Sequence, residues 1–403
     1  MTVRPTVTEA VDWAAARRIA AAAAPRPAAE RVGLADALGR TLAAPLVTAL
    51  DLPHYASSAM DGWAVRGPAP WRLIGPAGAP GAGEPGLGIG IGEAQRIVTG
   101  GVVPRGADAV LRAEAGRVDR GTLEPVGEVG LRDVREGRHI RLGGSEARAG
   151  DRLLEAGTPL TPPRIALAAA TGADVIEVVR RPRVAVVLTG DEVVESGVPG
   201  PGRVRDSFRV ALPAALRALG AEVVGVARVP DDAAATRAAM TSADADLVVS
   251  TGGTGRSDAD HVRAALADLG ADLLVPSVAI RPGGPTLLAR IADRLVLGLP
   301  GNPLAAMLGL LAVGGPLLHA WSGAGPADAA AGQVRAGTAL DGGSGVTALV
   351  PAVLGPDGSA VPTGYHGAGM LRGLAGAEVV LVVPPDGVGA GDAVTTLRLP
   401  WAG

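Results

Sequence analysis

The sequence predicts a multidomain α/β-plus-β protein, with a central doubly wound α/β domain, a small β domain inserted into a helical region ahead of it, and a C-terminal β-barrel. Three observations predict it. Between residues 183 and 269, apolar β-branched runs alternate with helical patterns, the signature of a doubly wound sheet. Residues 66–146 are glycine-rich with short alternating stretches such as 96–98 and 109–112, which suits a small β domain. Residues 326–403 carry β-patterned runs at 346–351, 379–383 and 394–399 separated by glycine turns, which suits a small barrel. The boundaries that follow are 1–46 with 147–180 for the helical region, 47–146 for the insertion, 181–325 for the α/β domain and 326–403 for the barrel.

Composition narrows the function classes. The 403 residues are 48% apolar, ample for several cores. A net charge of -3 argues against nucleic acid as principal partner, because a phosphate backbone calls for a basic face. There is no cysteine, hence no disulfide, thiolate metal site or thiol nucleophile. All 37 basic residues are arginine, so neither Schiff-base lysine nor Walker lysine chemistry is available. The opening M-T-V-R-P-T-V-T-E-A has no apolar leader, and a cytoplasmic protein is expected. Residues 303–321 are nearly uncharged and long enough to span a bilayer, but Gly314, Gly315 and Pro316 interrupt them, and a buried domain helix rather than a membrane span is expected.

In chain order, helical periodicity covers 8–24, with Thr8 placed as cap and Pro25 and Pro27 ending the helix. A second helical pattern covers 28–38. Residues 51–65 concentrate His54, Tyr55 and Trp63 in a chain with 2% aromatics. There His54 and Tyr55 are placed to stack on a ring and Asp61 to take a hydrogen bond or metal, with a plain Asp-Gly turn as the alternative. Gly86 to Gly92 lacks a following helix and is structural. Thr99-Gly100-Gly101 ends a strand in a hydroxyl-bearing turn, or in an ordinary hairpin. Helical patterning returns at 163–171. The α/β region then predicts strands at 184–188, 222–227 and 246–250 and helices at 207–219, 232–240 and 258–269. Ligands of such sheets bind beyond the carboxyl ends of the strands, where Asp191 and Glu192, Asp231 and Asp232, and Asp258 and Asp260 fall.

The stretch from Asp246 to His261 organises the rest. It reads strand, glycine loop (Thr251, Gly252, Gly253, Thr254, Gly255), then helix, a junction that lets backbone amides approach an anion. Two aspartates beside an anion site imply an intervening Mg²⁺; equally, they suit the helix as caps. Downstream, Ile280 to Pro285 and Leu299 to Pro303 form rigid turns. Asn302, the chain's single asparagine, is expected to combine turn and cap roles, with a ligand contact as the other option.

Taken together, S-A-M-D-G-W-A at 58–64, R-I-V-T-G-G-V-V-P-R-G-A-D-A-V at 96–110, T-G-D-E at 189–192, S-T-G-G-T-G-R-S-D-A-D at 250–260, R-P-G-G-P at 281–285 and L-P-G-N-P-L-A-A at 299–306 resemble the molybdopterin molybdenumtransferases, the MoeA family that includes the gephyrin E domain. The resemblance implies a homodimer of four-domain subunits whose helical region dimerises, with a molybdopterin-binding-like α/β domain. It implies Mg²⁺-dependent insertion of molybdate into adenylylated molybdopterin, with release of AMP. The functional acids and hydroxyl fall on Asp61, Thr99, Glu192, Asp231 and Asp260. Substrate binding falls on Gly252, Gly253, Thr254, Gly255, Ser257, Arg281, Pro300 and Asn302, and the metal on Asp206, Asp231 and Asp260. A molybdopterin adenylyltransferase and recipient molybdoenzymes are the implied protein partners.

Three positions depart from the family pattern. Where a K-P-G-K-P is usual, Arg281 keeps one cation and Gly284 loses the other. Gly144-Ser145-Glu146-Ala147 lengthens a carboxylate customarily Asp, and Phe208 replaces a polar side chain after Asp206-Ser207. Two readings therefore stand: an active insertase, favoured by the retained acids, and a catalytically reduced carrier of molybdopterin or finished cofactor, favoured by Gly284.

Overall fold

The computed structural model describes residues 10–75, 88–255, 260–323, 331–342 and 345–401. The expected Thr8 cap, Ser257 and Asp258 lie outside them.

The first helix, Trp13–Ala23, is capped by Asp12, whose carboxylate accepts the amides of Ala14 and Ala15 at 2.9 and 3.1 Å. Ala16, Ala20 and Ala23 form its buried stripe, and such small side chains let it lie close against Gly315–Trp321. The second expected helix, 28–38, is instead a strand, Ala29–Gly33, followed by a single 3-10 turn, Leu34–Asp36. Tertiary pairing decides against the helical pattern. The strand runs antiparallel to Val175–Val179, and the buried Arg40 ties Glu30 to the Val179 carbonyl.

The insertion holds a six-stranded sheet in which Gly62–Val65 lies between Glu93–Ile97 and Ala109–Arg112. Its charged anchor is Asp133. The side chain is 2% exposed and takes hydrogen bonds from Arg112 Nε at 2.8 Å and His139 Nε2 at 2.9 Å. Burial pushes the Asp133 carboxyl up, but the bonds from Arg112 and His139 outweigh it and hold the group below its ordinary value. A depressed folded pKa contributes stability above the unfolded value, near pH 4, and loses it as pH falls through the folded value. The urea midpoint of Asp133→Asn is expected to lie below wild type at pH 7, with the gap narrowing toward pH 3; a gap independent of pH would refute the assignment.

The α/β domain is a six-stranded sheet. Glu222–Arg228, Arg183–Leu188, Leu247–Thr251 and Arg294–Leu299 run parallel, and Leu287–Ile291 and Asp272–Val275 extend it antiparallel. Alternation along Arg183–Leu188 shows why both faces are covered. Val184, Val186 and Leu188 join the core beneath Phe208–Ala218 and the long apolar helix, while Val187 joins Met240, Val262 and Leu266 beneath Ala233–Ser242 and His261–Asp268.

The apolar stretch Pro303–Trp321 is one continuous core helix, 83% of its most apolar window buried. The expected interruption at Gly314 to Pro316 does not break it. Leu310–Gly314 widens into a π turn, and the Gly315 amide reaches back five residues to the Leu310 carbonyl, so the missing Pro316 donor is absorbed.

In the terminal domain, Thr347–Leu354, Ser359–Pro362, Ala331–Ala336, Ala393–Arg398 and Val379–Val383 close on themselves into a five-stranded barrel. Ile280–Arg281, from the α/β domain, pairs parallel with its strand Thr347–Leu354 and joins the two bodies.

Candidate active site

At the carboxyl rim of the parallel strands, four strand ends open on one cavity of about 530 Å³. Thr189, Gly190 and Glu192 follow the first strand, Asp231 the second, Gly252 and Gly253 the third, and Gly301 and Asn302 the fourth. The barrel contributes Gly369, whose loop is docked by the Ala305 amide on the Ala368 carbonyl at 3.1 Å.

Glycine is required at the third strand end. Gly252 and Gly253 have φ of 78° and 60°, and a Cβ on Gly252 would stand 2.6 Å from Thr189 Oγ1. That hydroxyl donates to the Thr251 carbonyl at 2.7 Å, so the first and third loops are stitched together. Asp231 organises the first loop from the other side, accepting the Gly190 and Asp191 amides at 2.8 and 3.1 Å. Arg228 completes the clamp by donating to the Thr189 carbonyl at 3.2 Å and to the Asp206 carboxylate.

The predicted metal set Asp206, Asp231 and Asp260 is not brought together. Among the described residues no three His, Asp or Glu side chains form an ion-binding group. Asp206 is captured by Arg228 and also accepts the Arg209 amide at 2.9 Å, so its charge is already neutralised. Asp260 is not among the described cavity-lining residues; it closes the glycine loop, accepting the Gly255 amide at 3.0 Å. Glu192 and Asp231 do share the cavity, and neither has an ion-pair partner among the described residues.

Other expected residues are placed as follows. Asp61 and Thr99 meet on the inserted domain, where Asp61 accepts the Thr99 amide at 2.7 Å and hydroxyl at 2.9 Å. Those two bonds, the amide first, lower the Asp61 pKa. Neither residue lines the cavity. His54 and Tyr55 pack edge to face on each other at 4.7 Å, and Tyr55 donates to the Gly100 carbonyl at 3.2 Å. Thr254 and Pro300 are buried behind the rim. Arg281 is exposed at the barrel joint, away from the cavity lining. Asn302 stands at the N-cap position of Pro303–Gly309, as expected, and its carbonyl accepts the Ala306 amide at 2.9 Å, but its side chain makes no cap hydrogen bond and the residue lines the cavity. Sequence reasoning missed Arg228, His261 and Gly369. For Arg228 the signal was present, as a charge at the inner end of the apolar strand E-V-V-G-V-A-R.

Three family models cover most of the chain: the MoeA N-terminal region, domains I and II, at residues 7–172; the probable molybdopterin binding domain at 185–320; and the MoeA C-terminal region, domain IV, at 333–399. A molybdopterin molybdenumtransferase of Haemophilus influenzae is 32% identical over 296 residues, 72% of each chain. The chain belongs to the MoeA family. A Nostoc molybdopterin molybdenumtransferase is 38% identical over 293 residues, 69% of this chain and 66% of its own length. The structure of a Pyrococcus horikoshii molybdopterin biosynthesis MoeA protein superposes with TM-score 0.79 at 27% identity, covering 97% of this chain and 99% of that one. The MoeA architecture explains the split domain order, the insertion and the barrel described above. Of the positions expected to depart from the family pattern, Phe208 lies in the cavity wall, whereas Gly284 lies outside it, where its carbonyl accepts the Val278 amide at 2.9 Å.

Proposed function

We propose that this protein inserts molybdate into adenylylated molybdopterin with release of AMP, using Mg²⁺ and acting as a cytoplasmic homodimer. The observation that carries this reading is the rim cavity, where Glu192 and Asp231 face a glycine loop without an ion-pair partner among the described residues. Two such carboxylates repel an anionic substrate unless a divalent cation lies between, and Mg²⁺ characteristically takes one or two carboxylates plus phosphate oxygens and water. Glu192 and Asp231 are the residues that fit it, and when bound the ion offsets phosphate and molybdate charge.

The chain's own contribution is positional. Asp231 and Arg228 fix the loop bearing Glu192, Gly252 and Gly253 keep the floor free of side chains, and Asn302 presents an amide at the wall. Exchange at an oxyanion needs alignment more than a side-chain nucleophile, so the lack of cysteine and lysine is no obstacle. In the homodimer proposed here, Asp61 and Thr99, which pair outside this cavity, would be delivered to it by a partner's insertion. The carrier reading, which drew on the missing cation at Gly284, loses that support because Gly284 lies outside the cavity lining.

Purified protein given adenylylated molybdopterin, Mg²⁺ and molybdate is expected to release AMP, and Asp260→Ala to slow release at least about 100-fold by freeing the Gly255 amide. Tight ligand binding with no molybdate-dependent AMP release would leave the carrier.

A further inference from the structure

The turns that carry Asp61 and Thr99 are tied on both flanks to one buried carboxylate of the inserted domain, Asp133, whose side chain is 2% exposed. Its Oδ2 accepts Arg112 Nε at 2.8 Å and the Arg112 amide at 3.4 Å, while Oδ1 accepts Arg112 Nη2 at 3.3 Å and pairs with His139 Nε2 at 2.9 Å. Arg112 stands opposite Gly62 in the sheet, and the next amide, Ala113, donates to the Asp61 carbonyl at 2.9 Å. On the other flank the His139 carbonyl accepts the Ala59 amide at 2.8 Å, and Ile140 pairs with Ser58. Ser58 in turn accepts the Gly100 amide at 2.8 Å and donates to the Gly101 carbonyl at 2.9 Å, so the turn bearing Thr99 hangs on the same support.

We propose that Asp133 is a positioning residue of the reaction, holding Asp61 and Thr99 in register through Arg112 on one side and His139 on the other. The inference rests on the function proposed above, in which that pair is delivered to a partner's cavity. Backbone conformation supports it. His139 has φ 59°, a left-handed conformation that costs a residue with a Cβ and persists only where its surroundings hold it. The bond from its ring to Asp133 is such a hold. A carboxylate suits the task because it takes several donors at once, and a charged donor such as the Arg112 guanidinium makes the stronger bond. Asp61 and Thr99 lie at the exposed surface, where a displacement of about 1 Å is enough to lose turnover.

Asp133→Asn and His139→Ala are expected to lower kcat for AMP release at least about tenfold and to leave the dissociation constant of AMP unchanged, since neither Asp61 nor Thr99 lines the cavity. His139→Gln, which keeps a donor toward Asp133, should recover most of kcat. Hydrogen exchange at the Ala59 and Thr99 amides should quicken at least about tenfold in the first two variants. Leu123→Val, which thins the core of the same sheet, is the destabilised control and should alter neither kcat nor those amides below its melting temperature. The deciding comparison is a double-mutant cycle: in an Asp61→Asn background, Asp133→Asn should cost less than about twofold in kcat, because nothing is left to position. An equal loss in both backgrounds overturns the proposal, as does wild-type turnover by Asp61→Asn. Normal AMP release with unchanged exchange at Ala59 and Thr99 in Asp133→Asn defeats the positioning role alone. Absence of AMP release from the wild-type protein defeats the insertase reading alone, and the exchange rates then decide whether Asp133 holds the pair.

Discussion

Arg228→Met is expected to lower unfolding stability by about 3–5 kcal/mol, because it strands a buried carboxylate. The Asp206 side chain is 1% exposed, Arg228 is 19% exposed, and no other cation reaches the Asp206 oxygens among the described ion pairs. Activity should fall as well, since the same guanidinium holds the Thr189 and Gly190 carbonyls at 3.2 and 3.4 Å and thereby sets the loop carrying Glu192. Arg228→Lys restores charge but not the planar fork, so it should recover part of the stability and less of the turnover. Joining Arg228→Met to Asp206→Leu removes both charges and should regain most of the stability while the loop stays unclamped. Chemical denaturation of the three variants, with activity measured in parallel, checks the assignment; a single variant within about 1 kcal/mol of wild type contradicts it.

Gly62→Ala should be similarly costly, about 3 kcal/mol, through overpacking against backbone. A Cβ at that position would stand 1.9 Å from the Leu111 carbonyl oxygen and 3.0 Å from the Ala113 nitrogen. Neither can give way without parting the pairing of Gly62–Val65 with Ala109–Arg112. Because Asp61 is the adjoining residue and its carbonyl accepts the Ala113 amide at 2.9 Å, the shift would also carry Asp61 away from Thr99. Asp61→Asn, by contrast, should leave the thermal midpoint near wild type and reduce turnover alone. If Gly62→Ala melts with wild type, the close approach is not real.

Where local chemistry dominated, the fold was legible in the sequence. The predicted strand at 379–383 coincides with Val379–Val383, and the helix predicted at 232–240 starts under an Asp232 cap that accepts the Ala235 amide at 2.7 Å. Residues 28–38 were misread because Glu30 and Arg31 are compatible with either period, and their strand exists only by virtue of a partner about 145 positions away. The site was legible as far as strand-end position allowed. Position put Glu192, Asp231, Gly252 and Gly253 on one rim, but it does not say where a carboxylate points. Asp260 turned back onto its own glycine loop, and Asp206 met an arginine that no motif announced. Gly369 was beyond reach for another reason, since it arrives from a different domain.

That arrival has an evolutionary corollary. The barrel shares a strand pairing with Ile280–Arg281, rests its Ala368 carbonyl on Ala305, and gives Gly369 to the cavity wall. A chimera that exchanges barrels between relatives therefore exchanges part of the ligand's surroundings, and the catalytic domain cannot diversify its pocket independently of its neighbour. Selection on substrate shape should leave correlated changes on both sides of that seam.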